Sequence, residues 1–137
     1  MPPCGALLEV DQALLAVAEE LPGKVRAAME RLAFHEALDE ILKMVRAADG
    51  YIDHQAPWAL RKTDIERMNT VLRVLVETIR TIGFLLQPFM PGAMENLLTQ
   101  VGVPAAARHF SDLETTLVDG AGLPAPSGVF PRYVEAA

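Results

Sequence analysis

The chain has 137 residues, 51% hydrophobic and 22% charged, which suits one folded domain with a single core and excludes a disordered chain. Twelve basic against eighteen acidic residues give a net charge of −6, the wrong sign for a generic polyanion binder, so any nucleic-acid role must be local. The single cysteine, Cys4, excludes an internal disulfide or a cysteine zinc site and points to a reducing compartment.

The first ten residues hold no basic region and contain Pro2 and Pro3, so they do not read as a signal peptide. A first helical block runs from Asp11, its expected N-cap, to Leu32. Its apolar positions Leu14, Leu15, Ala18, Leu21, Val25, Ala28 and Leu32 recur mostly at spacings of three and four. Pro22 and Gly23 interrupt it, and one bent helix is expected rather than two short ones. A second block, Phe34 to Gln55, carries the stripe Leu38, Ile41, Val45, Ala48 and Ile52 and ends before Pro57.

Residues 56–62 read as a short connector. Thr63 and Glu66 then make an expected capping box for a long helix that Pro88 stops. Val71 to Met90 is about membrane length but contains Arg73, Glu77 and Arg80, so it reads as the central helix of a bundle, with those three charges as its solvated strip. Pro91 opens another helix, ended near Val101 by Gly102 and Pro104. Beyond it come a turn between Arg108 and Leu113, loop chemistry from Asp119 to Gly128, and an apolar segment, Val129 to Val134, expected to dock in extended form. The expected architecture is all-α: an antiparallel helical bundle of four to five helices with an extended C-terminal arm. It divides into a linker (1–10), a bundle (11–110) and a loop with the arm (111–137).

Catalytic signatures are missing. His35, His54 and His109 match no ligand spacing, there is no phosphate loop or dinucleotide fingerprint, and Ser111 and Ser127 lack a nucleophile motif. The carboxylates fall on helix faces where solubility and local ion pairs explain them.

The connector stands apart. It holds the only tryptophan, Trp58, just after a proline and shortly before Arg61 and Lys62. Two roles are open. Trp58 can plug the end of the bundle, which composition alone favours. It can instead stay accessible as a stacking platform for an unpaired base, with the two cations on its phosphate. Residues 58–73 carry a local balance of +2 within a chain of −6, which leans toward the platform.

Two stretches carry a family resemblance: Tyr51-Ile52-Asp53-His54-Gln55-Ala56-Pro57-Trp58-Ala59-Leu60-Arg61-Lys62 and Leu85-Leu86-Gln87-Pro88-Phe89-Met90-Pro91. Together they resemble the helical anticodon-binding domain of methionyl-tRNA synthetase, a class I enzyme. The tail, Leu123-Pro124-Ala125-Pro126 with Val129-Phe130-Pro131-Arg132, is similar to the end of that family's core enzyme. The resemblance covers nearly the whole chain, and synthetases for valine, leucine and isoleucine carry looser versions of both elements.

The resemblance implies binding of the tRNA anticodon loop and reading of the CAU triplet, with Trp58 stacked on the first anticodon base. The family also uses an asparagine and an arginine on a helix at the start of the domain. No match for that helix is found, so the chain is expected to be a fragment beginning just after it. The H-I-G-H and K-M-S-K-S motifs of the catalytic domain are absent. ATP would then belong to the parent enzyme, with no cofactor in this chain and no activity of its own. Its partners would be the tRNA and the parent's catalytic domain, with no membrane, in the cytoplasm. Two alternatives stay open: a helical protein-interaction module with Trp58 as a plug, and the equivalent domain of a sister synthetase.

Overall fold

A computed structural model describes residues 1–136. Five α-helices follow in order: α1 (Glu9–Glu30), α2 (Phe34–Gln55), α3 (Pro57–Thr63), α4 (Ile65–Leu86) and α5 (Pro91–Gln100). Two short 3₁₀ turns, Ala105–Ala107 and Phe110–Glu114, precede an extended arm without regular structure. Among the described residues there is no strand. Among the described residues no helix is long and apolar enough to cross a membrane.

Helices α1, α2 and α4 share the main core. Leu14, Leu21 and Val25 of α1 meet Ile41, Met44 and Tyr51 of α2 and Val71, Val74 and Leu85 of α4. On α2 the buried face is Ala37, Ile41, Met44, Ala48 and Tyr51. It is turned slightly from the expected stripe, because Leu38, Val45 and Ile52 pack at its margin. Pro22 does not break α1, although without an N–H it cannot donate to the Ala18 carbonyl. Leu32 lies beyond the helix end, exposed, with a φ of 56° in the turn into α2. A second, smaller core of Phe84, Leu98 and Val103 seats α5 on α4. A side chain at Gly83 would meet Leu97 and Leu98 at 2.7 and 2.9 Å, so glycine sets that close approach.

Five local expectations are corrected. Asp11 is not the N-cap of α1: the helix begins at Glu9, and Asp11 reaches back one turn to accept from the Leu8 amide at 2.8 Å. Residues 56–62 are not a plain connector, because Pro57 sits at the first position of α3, where its missing donor costs nothing. That extra helix takes Thr63 as its last residue and moves the cap of α4 to Asp64, which accepts from the Arg67 amide at 2.9 Å.

Arg73, Glu77 and Arg80 are not solvated. They lie beneath residues 112–119, which they bind through polar contacts. Arg73 reaches Asp119 at 2.6 Å and also the Leu117 carbonyl, Glu77 accepts from the Leu117 amide at 3.0 Å, and Arg80 donates to the Leu113 carbonyl at 2.9 Å. The strap they hold lies so far along the chain that helical spacing alone could not reveal it.

The loop before the arm is held to α5. The Ser127 amide donates to Gln100 at 2.9 Å. Phe130, Tyr133 and Val134 are exposed, Tyr133 at 89%, so the apolar segment does not dock as expected.

One polar cluster is buried where α1 begins, α2 ends and α4 begins. The Asp11 carboxylate has no exposed surface. It accepts two bonds from Arg67, at 2.5 and 2.7 Å, and one from the Tyr51 hydroxyl at 2.6 Å. Burial pushes its pKa up, but the hydrogen bonds from Arg67, Tyr51 and the Leu8 amide, with the Arg67 charge, outweigh it and hold the carboxyl down at about 2. Burial first, and then the bond to Asp11, raise the Tyr51 pKa, against a smaller opposing effect of Arg67. A carboxylate held below its unfolded value stabilises the fold above that value, and the stabilisation fades as pH falls through the folded one.

Urea unfolding of Asp11→Asn should therefore show a loss of about 3–5 kcal/mol at neutral pH. The gap to the parent sequence should shrink by about 2 kcal/mol between about pH 5 and pH 2.

Candidate nucleic-acid interface

The candidate site is the corner where α2 turns into α3. Helix α2 ends at Gln55, and Ala56 takes φ 44° and ψ 62°, a left-handed conformation that a residue other than glycine adopts at a cost. Its amide still donates to the Ile52 carbonyl at 2.9 Å. Pro57 is buried and starts α3, so Trp58 is the second residue of a helix rather than part of a loose loop.

That helix explains the spacing of the candidate residues. Arg61 and Lys62 lie three and four positions after Trp58, which puts both cations on the tryptophan's side of α3. Trp58 is 60% exposed. Arg61 and Lys62 are exposed too, and among the described residues neither enters an ion pair. An exposed indole beside two unpaired cations can stack on an unpaired base and contact its phosphates.

Of the other basic residues in the 58–73 stretch, Arg67 is spent on Asp11 and Arg73 on the strap. The local positive balance is thus carried at the surface by Arg61 and Lys62. Arg67 also donates to the Gln55 side chain at 2.7 Å. Sequence reasoning missed the roles of Asp11, Tyr51, Gln55 and Arg67. Their only signal was an acidic residue early in α1 and a basic one early in α4, which a spacing rule cannot pair.

A wide groove lies elsewhere. About 1340 Å³ opens between α1, α4 and the strap, lined by Leu15, Val25, Met29, Leu85, Phe89 and Phe110 among others. None of Trp58, Arg61 and Lys62 borders it. Among the described residues no group of three or more His, Cys, Asp or Glu is arranged to hold a metal ion.

Comparison with known proteins gives a consistent answer. The family model described as the anticodon binding domain of methionyl tRNA ligase matches residues 1–136. A methionine–tRNA ligase of Brucella suis is 47% identical over 137 residues, which is 99% of this chain and 27% of that protein. One from Rhizobium meliloti is 46% identical over 136 residues, covering 98% of this chain and 26% of its own length. The crystal structure of the apo form of Mycobacterium tuberculosis methionyl-tRNA synthetase superposes with a TM-score of 0.94 at 37% identity, over 98% of this chain and 28% of that one. The chain thus spans 26–27% of the length of these curated relatives.

An exposed platform and a core plug respond differently to truncation. Trp58→Ala should change urea stability by no more than about 0.5 kcal/mol, against a loss of about 3–5 kcal/mol for a buried plug. In the unaltered chain, acrylamide should quench the tryptophan emission efficiently.

Proposed function

This chain belongs to the family of methionyl tRNA ligase anticodon-binding domains, and we propose that it binds the anticodon loop of methionine tRNAs and reads the CAU triplet within a longer methionine–tRNA ligase. The observation that carries this reading is the exposed Trp58 ring, fixed at a helix start beside Arg61 and Lys62. Stacking of the indole on the first anticodon base supplies affinity that depends on that base being unpaired and correctly placed. Arg61 and Lys62 contact the phosphates, which sets position without reading sequence.

The division of labour follows from the same residues. Catalysis, with ATP, belongs to another part of the parent protein, and this chain holds no cofactor of its own. The groove beside α1 and α4, with Leu15, Val25 and Phe89 next to charged residues such as Glu19 and Arg26, offers a mixed face for that catalytic part. The cytoplasm is the compartment in which such a ligase meets its tRNA. Alone, the chain should bind weakly, in the roughly 10⁻⁴–10⁻⁶ M range of largely electrostatic contacts. A pure protein-interaction module would need no exposed indole flanked by cations, and a sister synthetase's domain is disfavoured by the names of the relatives.

In the full-length enzyme, Trp58→Ala should raise the tRNA Kd or KM about 5- to 150-fold, as loss of one base stack of roughly 1–3 kcal/mol requires. Methionyl-adenylate formation, followed by ATP–pyrophosphate exchange, should be unchanged. Lys62→Ala should weaken all tRNAs alike and lower the slope of affinity against salt by about one.

A further inference from the structure

Trp58 owes its direction to the corner at Ala56, and the corner is in an unfavourable conformation that its surroundings must hold. The Ala56 amide bond to Ile52 caps α2, but it does not tie the corner to α4. Leu60 packs α3 on the main core, and the Gln55 side chain adds the polar tie to α4. Its amide oxygen accepts from Arg67 Nη2 at 2.7 Å. Arg67 is itself held by two bonds to Asp11, and Asp11 by the Tyr51 hydroxyl and the Leu8 amide. A continuous run of hydrogen bonds therefore leads from the start of α1 to the residue immediately before the corner.

The last link is separable from the rest. A guanidinium has five donors, so Arg67 can serve Asp11 and Gln55 together, and losing Gln55 leaves the Asp11–Arg67 pair in place. Gln55 is half-buried and belongs to neither apolar core. Its polar tie thus acts on the direction of α3 more than on the stability of the bundle.

We propose that Gln55, anchored by Arg67, is a positioning residue for Trp58, holding the corner so that the ring is aimed before the anticodon arrives. This rests on the anticodon-binding reading above. A platform that is correctly aimed for only a fraction of the time binds with its affinity reduced by that fraction. The effect should fall mainly on the stacked base, because Arg61 and Lys62, although on the same helix, reach phosphates through long flexible side chains whose charge contacts demand less alignment than a stack.

The chain's only tryptophan is Trp58, so its fluorescence reports this corner and nothing else. The test compares Gln55→Ala, Gln55→Glu and Trp58→Ala by urea stability and by affinity for two RNA stem-loops, one carrying CAU and one with a different first base. Anisotropy decay is added for the two Gln55 variants. Gln55→Ala should show faster local depolarisation and about 5- to 10-fold weaker binding of the CAU stem-loop, with less than about twofold change for the other RNA. Gln55→Glu, which keeps an acceptor for Arg67, should restore both.

Unchanged anisotropy and affinity in Gln55→Ala, while Trp58→Ala still weakens binding, would overturn the positioning role and leave the stacking reading standing. Normal binding by Trp58→Ala would overturn both. A loss in Gln55→Ala that merely follows the unfolded fraction, or no rescue by Gln55→Glu, would make Gln55 an ordinary structural residue and overturn the proposal.

Discussion

A carboxylate without exposed surface, Asp11, lies where the start of α1, the end of α2 and the start of α4 converge, and the tip of the bundle depends on how it is neutralised. An unpaired buried charge is costly, so one carboxylate recruits Arg67, the Tyr51 hydroxyl and the Leu8 amide. Apolar packing of α1, α2 and α4 allows some sliding, since side chains of similar size can exchange neighbours. The bidentate Arg67–Asp11 pair is more demanding, because the guanidinium plane and the carboxylate must meet at a defined angle. It fixes α1 against α4 at the end where α3 begins, and the Tyr51 hydroxyl brings α2 to the same carboxylate.

A second polar clamp does comparable work along α4. Arg73, Glu77 and Arg80 hold the strap of residues 112–119 mainly through its backbone, so the strap's course depends little on its own side chains. Arg80 also lies 5.5 Å from the centre of the Phe84 ring, linking the clamp to the smaller core. The N-terminal residues close against the same region, where the Met1 amine donates to the Ala121 carbonyl at 2.6 Å. The N-terminal segment is also tied to α4 itself, where the Gly5 amide donates to the Thr70 hydroxyl at 3.0 Å.

The helices were legible because burial imposes a period. The spacing of Ile41 and Ala48, and the stops at Pro57 and Pro88, place α2 and α4 almost to the residue. What periodicity could not show was any pairing between distant polar residues. Arg73 and Arg80 looked solvated because charge usually means solvent, and the strap that covers them joins the helix only in three dimensions. The cap of α4 slipped from Thr63 to Asp64 because α3 claimed Thr63 first. At the site, Trp58, Arg61 and Lys62 stood out by composition and motif, while the left-handed Ala56 and the Gln55–Arg67 tie had no local signature.

A contact between the Trp58 ring and the first anticodon base can be read by photochemical cross-linking. A stem-loop with 5-bromocytidine at the first anticodon position would be irradiated with the chain, digested with trypsin and analysed by mass spectrometry. The account predicts an adduct on the peptide spanning residues 47–61, mapped to Trp58, and a much smaller yield when the label sits in the stem. An adduct confined to other residues, or equal yields from both label positions, would contradict it.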